Sequence, residues 1–159
     1  KNISKQNLKK FGISITKDDI KPLVINDGYA KRYDGIATLD AKKDNGESII
    51  SIFSALKRSF PLKIDMMEKH PLGSQAFIPM KETTFLALVA PVGDKPDLSK
   101  AEAFIIPKGV GVNYNAGIWH FPLIATADMN FLVVDRKGEG DNLVLHDLNK
   151  ENITLEFQA

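Results

Sequence analysis

Short extended segments separated by turn residues dominate this sequence and constrain its fold more than any other feature. The segments are continuously apolar or alternate between apolar and polar residues, which is typical of β-strands. Turn signals such as Asp44-Asn45-Gly46 lie between them. The predicted strands are Tyr33–Leu39, Ser48–Ser54, Leu62–Met66, Phe85–Ala90, Phe104–Ile106, Val112–Tyr114, Phe121–Ile124, Phe131–Asp135, Leu143–His146 and Ile153–Phe157. About ten such strands favour an all-β sandwich or barrel over a sheet with crossover helices.

Helical signals are confined to two places. A short N-terminal helix is predicted within residues 4–20, where Leu8 and Phe11 are three positions apart and Gly12 closes the segment. Residues Asp97–Ala103 are predicted to form a helical turn. Because the 159 residues contain no repeat and no linker, a single domain over residues 1–159 is expected.

Charge and residue content limit the expected partners and location. Lys and Arg number 21 against 20 Asp and Glu, without a dense basic run, so nucleic acid is not an expected partner. No apolar stretch approaches the ~20 residues that span a bilayer, and Lys1–Phe11 lacks the apolar centre of a secretory signal. The chain has no cysteine, which fits a reducing cytoplasm. We therefore expect a cytoplasmic protein without a membrane partner.

Two of the three histidines lie in contexts that suit chemistry. Glu68 and His70 are two residues apart, so on a strand they point to the same side, and Gln75 follows across a Pro-Leu-Gly turn. His120 comes much later, directly after another tight turn. Such a set suits either a divalent metal or acid–base catalysis, and the spacing leaves open whether His70 is a surface histidine instead. His146 is expected to be a histidine without a catalytic role.

Other positions carry groups that either bind a substrate or simply end a strand. Lys81 is flanked by apolar segments and can hold a substrate carboxylate as a point charge, or can be a solvated strand-end lysine. Arg32 and Asp135 pose the same question. Trp119, the single tryptophan, suits either the core or a substrate wall. The sequence has no phosphate-binding glycine loop, no G-x-S-x-G elbow and no H-E-x-x-H helix.

Several motifs in one order resemble the ureidoglycolate lyase family, also called ureidoglycolate hydrolase. Glu68–Met80 is similar to the family's central signature. Gly111–Tyr114, followed by Gly117–His120 and Pro122-Leu123, resembles its second signature. The resemblance extends over nearly the whole chain, since the segments Ile25–Gly28, Arg32-Tyr33 and Phe131–Arg136 also follow the family's order.

The resemblance implies a cupin-like barrel, of the double-stranded β-helix or jelly-roll type, that is usually a homodimer. It implies cleavage of ureidoglycolate to glyoxylate and urea in the recovery of purine nitrogen from allantoin. His70 and His120 would transfer protons, and Lys81 would hold the substrate carboxylate or the forming carbonyl together with Gln75 or Asn113. The other predicted substrate-binding residues are Tyr114, Trp119, Arg32 and Asp135.

The cofactor requirement is left open by the sequence. In a second scheme a divalent metal polarises the substrate hydroxyl. The ligands in that scheme would be Glu68, His70, Gln75 and His120.

The chain departs from the family pattern at three positions around the second signature. Asn115 and Ala116 stand where the family typically has His and Arg, and Phe121 stands where it has a second His. These departures keep two alternatives open. One is a non-catalytic cupin that binds a small carboxylate or ureide, and the other is a metal-dependent cupin enzyme for another small hydroxy acid.

Overall fold

The computed structural model describes residues 1–158, apart from the side chain of Lys5, so that Ala159 of the expected domain lies outside the described residues. One short helix, α1 (Lys5–Leu8), precedes the strands. The strands are β1 (Gly12–Ile15), β2 (Leu23–Ile25), β3 (Ala30–Arg32), β4 (Glu47–Ala55), β5 (Leu62–Ile64), β6 (Met66–Lys69), β7 (Gln75–Pro79), β8 (Phe85–Ala90), β9 (Glu102–Ile106), β10 (Gly111–Tyr114), β11 (Trp119–His120), β12 (Ile124–Ala125), β13 (Met129–Lys137), β14 (Val144–Asp147) and β15 (Ile153–Leu155).

Two antiparallel sheets form the body of the fold. The first sheet has the order β1-β10-β7-β13-β4, and the second has the order β12-β8-β11-β6-β14, with β9 also paired to β8. Between β6 and β14 the chain crosses repeatedly from one sheet to the other, as in a jelly roll. This arrangement confirms the predicted all-β, cupin-like barrel with a short N-terminal helix.

The two faces of the second sheet pack against different apolar clusters. The first cluster joins the inner faces of the two sheets, with Phe77 and Phe131 from one sheet and Phe85 and Val89 from the other. The second cluster lies behind the second sheet and includes Trp119. Because side chains alternate along a strand, β11 directs Trp119 into the second cluster and His120 toward the barrel interior.

Helical structure is limited to short pieces that are capped locally. In α1, the Ser4 hydroxyl accepts a hydrogen bond from the Asn7 N–H, and the Asn7 side chain accepts one from the Ser4 N–H. The predicted turn is a 3₁₀ helix at Leu98–Lys100, and the Asp97 side chain caps it by accepting the Ser99 N–H. Among residues 1–158, no helix combines the length and the apolar character needed to cross a membrane.

Glycine is required where β1 approaches β10. Gly12 begins β1 instead of ending the helix, and a Cβ at this position would collide with the carbonyl oxygen of Asn113. The predicted helix is therefore present, but it ends at Leu8.

The strand predicted at Tyr33–Leu39 is wrong. This segment pairs with no strand. Thr38, near its end, and Asp40, directly after it, are instead hydrogen-bonded to Asn113 and Ser74. Ser74 joins its hydroxyl and its N–H to the backbone of Asp40, and Asn113 donates its amide to Thr38 O. These contacts fix the end of the segment against the first sheet without strand pairing, so that the segment is an irregular loop.

The predictions also differ in smaller ways, and the strand expected at Leu62–Met66 is interrupted at Asp65, between β5 and β6. The strand expected at Phe121–Ile124 is largely wrong, because only Ile124 lies in a strand, β12, and residues 121–123 form the bend between β11 and β12. The hairpin of β2 and β3 was not predicted, and its strands have only three residues each.

Candidate active site

Glu68, His70 and His120 form a cluster inside the barrel. Glu68 and His120 are directly opposite each other in the antiparallel pair of β6 and β11, and His70 follows the end of β6. The Nε2 atom of His120 lies 3.4 Å from Glu68 Oε1, and that of His70 lies 4.0 Å from the same oxygen. The structure therefore brings together three of the four predicted metal ligands, and two of them, His70 and His120, are also the predicted acid–base residues.

Both histidines are oriented by backbone carbonyl groups. His70 Nδ1 donates to Asn142 O at 2.8 Å, and His120 Nδ1 donates to Ile118 O at 3.1 Å. Because a carbonyl oxygen can only accept, each Nδ1 carries a hydrogen, and Nε2 of the neutral ring carries a lone pair. Both Nε2 atoms are buried and lack a well-formed hydrogen bond to the described residues.

The Glu68 carboxylate and the Nε2 atoms of the two neutral histidines are all acceptors, and together they form an acceptor site. Burial raises the pKa of the Glu68 carboxyl, but the contact with His120 and the charges of His120 and His70 together outweigh it, so this pKa lies below its usual value. A carboxylate facing two imidazole lone pairs requires a cation between them, which can be a proton or a metal ion.

The donor set fits a divalent metal as well as proton transfer. The ligand atoms of Glu68, His70 and His120 all lie within 4.8 Å of one another. Histidines that bind metal through one nitrogen normally donate the other N–H to a carbonyl or a carboxylate, as both do here.

Three further predicted residues lie beside the cluster. The Tyr114 ring stacks on the His120 ring, with 5.0 Å between centroids, and burial raises the pKa of the phenol far above its usual value. Tyr114 is opposite Gln75 in the pair of β10 and β7. Gln75 in turn donates its side-chain N–H to Asp135 Oδ2 at 3.2 Å. The barrel interior therefore carries a continuous polar wall next to the histidines.

Lys81 and Arg32 are not brought to the cluster. Lys81 is exposed and follows the C-terminal end of β7, whereas Gln75 begins this strand. The two ends of β7 are about 13 Å apart. Arg32 is exposed on β3 and pairs with Asp34 at 2.8 Å. The structure gives neither cation a position next to the histidines.

Asn113 and Trp119 point away from the barrel interior. Asn113 alternates with the core residues Val112 and Tyr114, and its amide meets the loop that contains Thr38. Trp119 is fully buried in the second cluster, and its Nε1 donates to Gly93 O at 3.0 Å. They contribute to packing on the far faces of the two sheets.

His146 lies away from the cluster, as expected. Its ring and that of Trp119 make a T-shaped contact with 6.0 Å between centroids. This contact lies on the face of β11 opposite to His120. It therefore offers a natural control for substitutions of the clustered histidines.

Asn142 is a site residue that the sequence did not reveal. Its carbonyl oxygen accepts the His70 N–H, and its side-chain oxygen accepts the Leu72 N–H at 2.8 Å. The only sequence signal nearby is the turn Lys137-Gly138-Glu139-Gly140. This turn does not indicate that Asn142, two residues later, contacts His70.

The three departures from the family pattern lie outside the cluster. Phe121 is buried in the second apolar cluster, where its ring is 5.5 Å from the Arg58 guanidinium. Asn115 is exposed in the turn after β10, and Ala116 is half-buried beside it. None of the three supplies a side chain to the acceptor site formed by Glu68, His70 and His120.

Comparison with known proteins agrees with the resemblance read from the motifs. A sequence profile of the protein family described as "Ureidoglycolate lyase" matches residues 1–156. A ureidoglycolate lyase of Pseudomonas paraeruginosa is 43% identical over 159 residues, covering 99% of this chain and 94% of the relative. A ureidoglycolate lyase of Pseudomonas putida is 40% identical over 154 residues, covering 96% of this chain and 92% of the relative.

Proposed function

Since the chain belongs to the ureidoglycolate lyase family, we propose that it cleaves ureidoglycolate into glyoxylate and urea at the cluster of Glu68, His70 and His120. The observation that carries this proposal is the pair of histidine Nε2 atoms that face one carboxylate inside the barrel. The relatives' name favours this activity over a non-catalytic cupin and over a cupin enzyme for another hydroxy acid.

The reaction needs one base and one acid. Ureidoglycolate carries a hydroxyl group and the ureido nitrogen on the same carbon. When the hydroxyl proton is removed, the carbon–oxygen double bond forms, the carbon–nitrogen bond breaks, and the departing nitrogen takes up a proton. One proton is lost and one is gained, so glyoxylate and urea are released without any other reactant.

The geometry suggests which histidine plays which role. Glu68 Oε1 lies 3.4 Å from His120 Nε2 and 4.0 Å from His70 Nε2, so a hydrogen bond from a ring nitrogen to this carboxylate forms more readily at His120. We assign the proton donor to His120 and the base to His70. Glu68 contacts both rings, which gives the proton a route back between turnovers.

A divalent metal would be held by the same three side chains. When bound, such an ion would supply a positive charge that lowers the pKa of the substrate hydroxyl and attracts its carboxylate. In that case the Nδ1 contacts to Asn142 and Ile118 would keep both rings oriented toward the ion.

A product assay tests the proposed activity. Purified protein is incubated with ureidoglycolate, and glyoxylate, urea and ammonia are measured with and without a chelator. We expect glyoxylate and urea in equal amounts, whereas ammonia as the nitrogen product would indicate hydrolysis. The absence of turnover would contradict the proposal. Loss of activity with chelator, restored by a divalent metal, would select the metal scheme over proton transfer alone.

The proposal includes a homodimer that pairs through the free edge of the first sheet. The edge strand β4 has nine residues and contains neither lysine nor proline, the residues that usually protect such edges. Ile50 and Ile52 on this strand are 71% and 51% exposed. They lie next to the half-buried Val134 and Leu132 of β13, so the outer surface here is apolar.

The edge strand β9 of the second sheet is covered by the N-terminal segment of the same chain. Ile105 N donates to Lys1 O, and Ile3 N donates to Ile105 O. We also propose one domain over residues 1–159 and a cytoplasmic location, for which the absence of linkers and of cysteine is the support.

A further inference from the structure

Gln75 is a buried amide that uses only one of its two ends. Gln75 is 5% exposed, and its Nε2 donates to Asp135 Oδ2 at 3.2 Å. Its Oε1 is buried and has no hydrogen-bond partner among the described residues. An unpaired buried acceptor is unfavourable, so it calls for a donor that arrives from the interior.

Asp135 determines which end of the amide is free. A carboxylate can only accept hydrogen bonds, so it must face the amide nitrogen, and the amide oxygen then points the other way. Gln75 is opposite Tyr114, and the Tyr114 ring stacks on His120. Gln75 therefore lies on the inward face of the first sheet, on the same side as Tyr114 and opposite the histidine cluster of the second sheet.

We infer that Gln75 Oε1 accepts an N–H of the substrate's ureido group and that Asp135 is the positioning residue that keeps the amide in this orientation. This inference rests on the proposed function and adds the direction in which the substrate lies. The ureido end lies toward β7 and β13, and the hydroxyl-bearing carbon lies toward His70 and His120. The substrate carboxylate is disfavoured at Gln75 because a carbonyl oxygen and the charge of Asp135 both repel it.

Binding of the two products separately tests this orientation. Urea and glyoxylate are titrated into the parent, Asp135→Asn and Gln75→Met, and dissociation constants are obtained from NMR shifts. We expect both variants to bind urea about fivefold to tenfold more weakly, which is the usual value of one neutral hydrogen bond. Their glyoxylate affinity should stay within about twofold of the parent. Asp94→Asn, at an exposed position in the turn after β8, is the matched control.

Kinetics separate positioning from a general loss of structure. For Asp135→Asn, KM for ureidoglycolate should rise more than kcat falls, because binding of the ureido group is weakened. Unchanged urea binding in both variants, or a selective loss of glyoxylate binding, would overturn the inference. If Asp135→Asn does not unfold cooperatively, Gln75→Met carries the same test. Because urea binding needs no turnover, an inactive parent would contradict only the proposed function.

Discussion

At the residue scale, the decisive feature is that two backbone carbonyls orient the two histidines of the cluster. Asn142 O and Ile118 O each take one Nδ1–H, which leaves both Nε2 atoms free. The same rings without these contacts could rotate or change tautomer, and the acceptor site would be lost. The geometry of the acceptor site therefore depends on backbone groups that carry no charge.

The tautomers of these rings can be measured directly. In metal-free protein, we expect the neutral rings of His70 and His120 to carry their hydrogen on Nδ1. Long-range proton–nitrogen NMR correlations distinguish the two ring nitrogens in each histidine. Detection of the Nε2–H tautomer in either ring would contradict the orientation described here.

The sequence predicted part of the site because two of its residues are local. Glu68 and His70 are two positions apart, and this spacing places them on one side of a strand. The sequence could not exclude Asn113 or Trp119, because a shift of one residue along a strand reverses the face. The sequence also does not show how far apart two residues lie in space. It therefore predicts Lys81 at the site, although the length of β7 lies between Lys81 and Gln75.

At the scale of elements, Arg136 holds the loops that surround the site. It is buried, and its guanidinium donates to the carbonyl oxygens of Lys43, Asp44 and Glu139. A Cβ at Gly138 would collide with this guanidinium, which explains glycine at that position. The loop that is fixed in this way leads to Asn142, and so to His70.

Replacement of Arg136 should therefore affect both stability and catalysis. We expect Arg136→Met to lower the free energy of unfolding by about 2 kcal/mol, because several charge-assisted hydrogen bonds are lost. We expect kcat/KM to fall about tenfold through displacement of His70. Denaturant unfolding, hydrogen exchange of residues 40–46 and 139–142, and initial rates check these outcomes.

Arg32→Met provides the comparison. Arg32 is exposed and makes an ion pair with Asp34, which is worth less than about 1 kcal/mol at a surface. Equal effects of the two substitutions would contradict the role of Arg136.

Most strands were predictable because their patterns are strong, whereas the loop at Tyr33–Leu39 was not. Phe85–Ala90 was predicted with the bounds that the structure shows, since a continuous apolar run favours a buried strand. Tyr33–Leu39 contains the strand-favouring residues Tyr33, Ile36 and Thr38. In the structure, however, Asn113 donates to Thr38 O and Ser74 bonds the backbone of Asp40, directly after the segment. Such tertiary contacts are not visible in a local pattern.

At the scale of the whole molecule, the exposed face of β4 determines the expected assembly. We expect Ile52→Lys to convert the proposed dimer into a monomer, because a charge would be placed in an apolar interface. Sedimentation of the parent and the variant measures this change. Val24→Lys, at a 65% exposed position on β2, is the control and should leave the assembly unchanged. A parent that sediments as a monomer would contradict the proposed dimer.

Attachment of the N-terminal segment to β9 should make stability depend on pH. Glu102 is hydrogen-bonded by Lys1, with Lys10 Nζ at 3.4 Å, and these contacts lower the pKa of its carboxyl despite the opposing effect of burial. A lowered pKa stabilises the fold above the unfolded value of 4.5, and this contribution is lost as pH falls through the folded value.

Glu102→Gln should therefore be destabilising only where the carboxyl is ionised. We expect a loss of about 0.5–1 kcal/mol in the free energy of unfolding at pH 7, with the difference disappearing toward about pH 3. Denaturant unfolding at several pH values measures it, with the exposed Glu151→Gln as the control. A difference that persists unchanged at low pH would show that the ion pairs are not its cause.

The central claim is that ureidoglycolate is cleaved at the cluster inside the barrel. The most direct test is the initial rate of urea release by His120→Ala, measured beside His146→Ala under identical conditions. We expect kcat to fall by a factor of about 10²–10⁴ in His120→Ala, with urea release by His146→Ala within about twofold of the parent. A His120→Ala rate within about tenfold of the parent, in a folded protein, would contradict the claim.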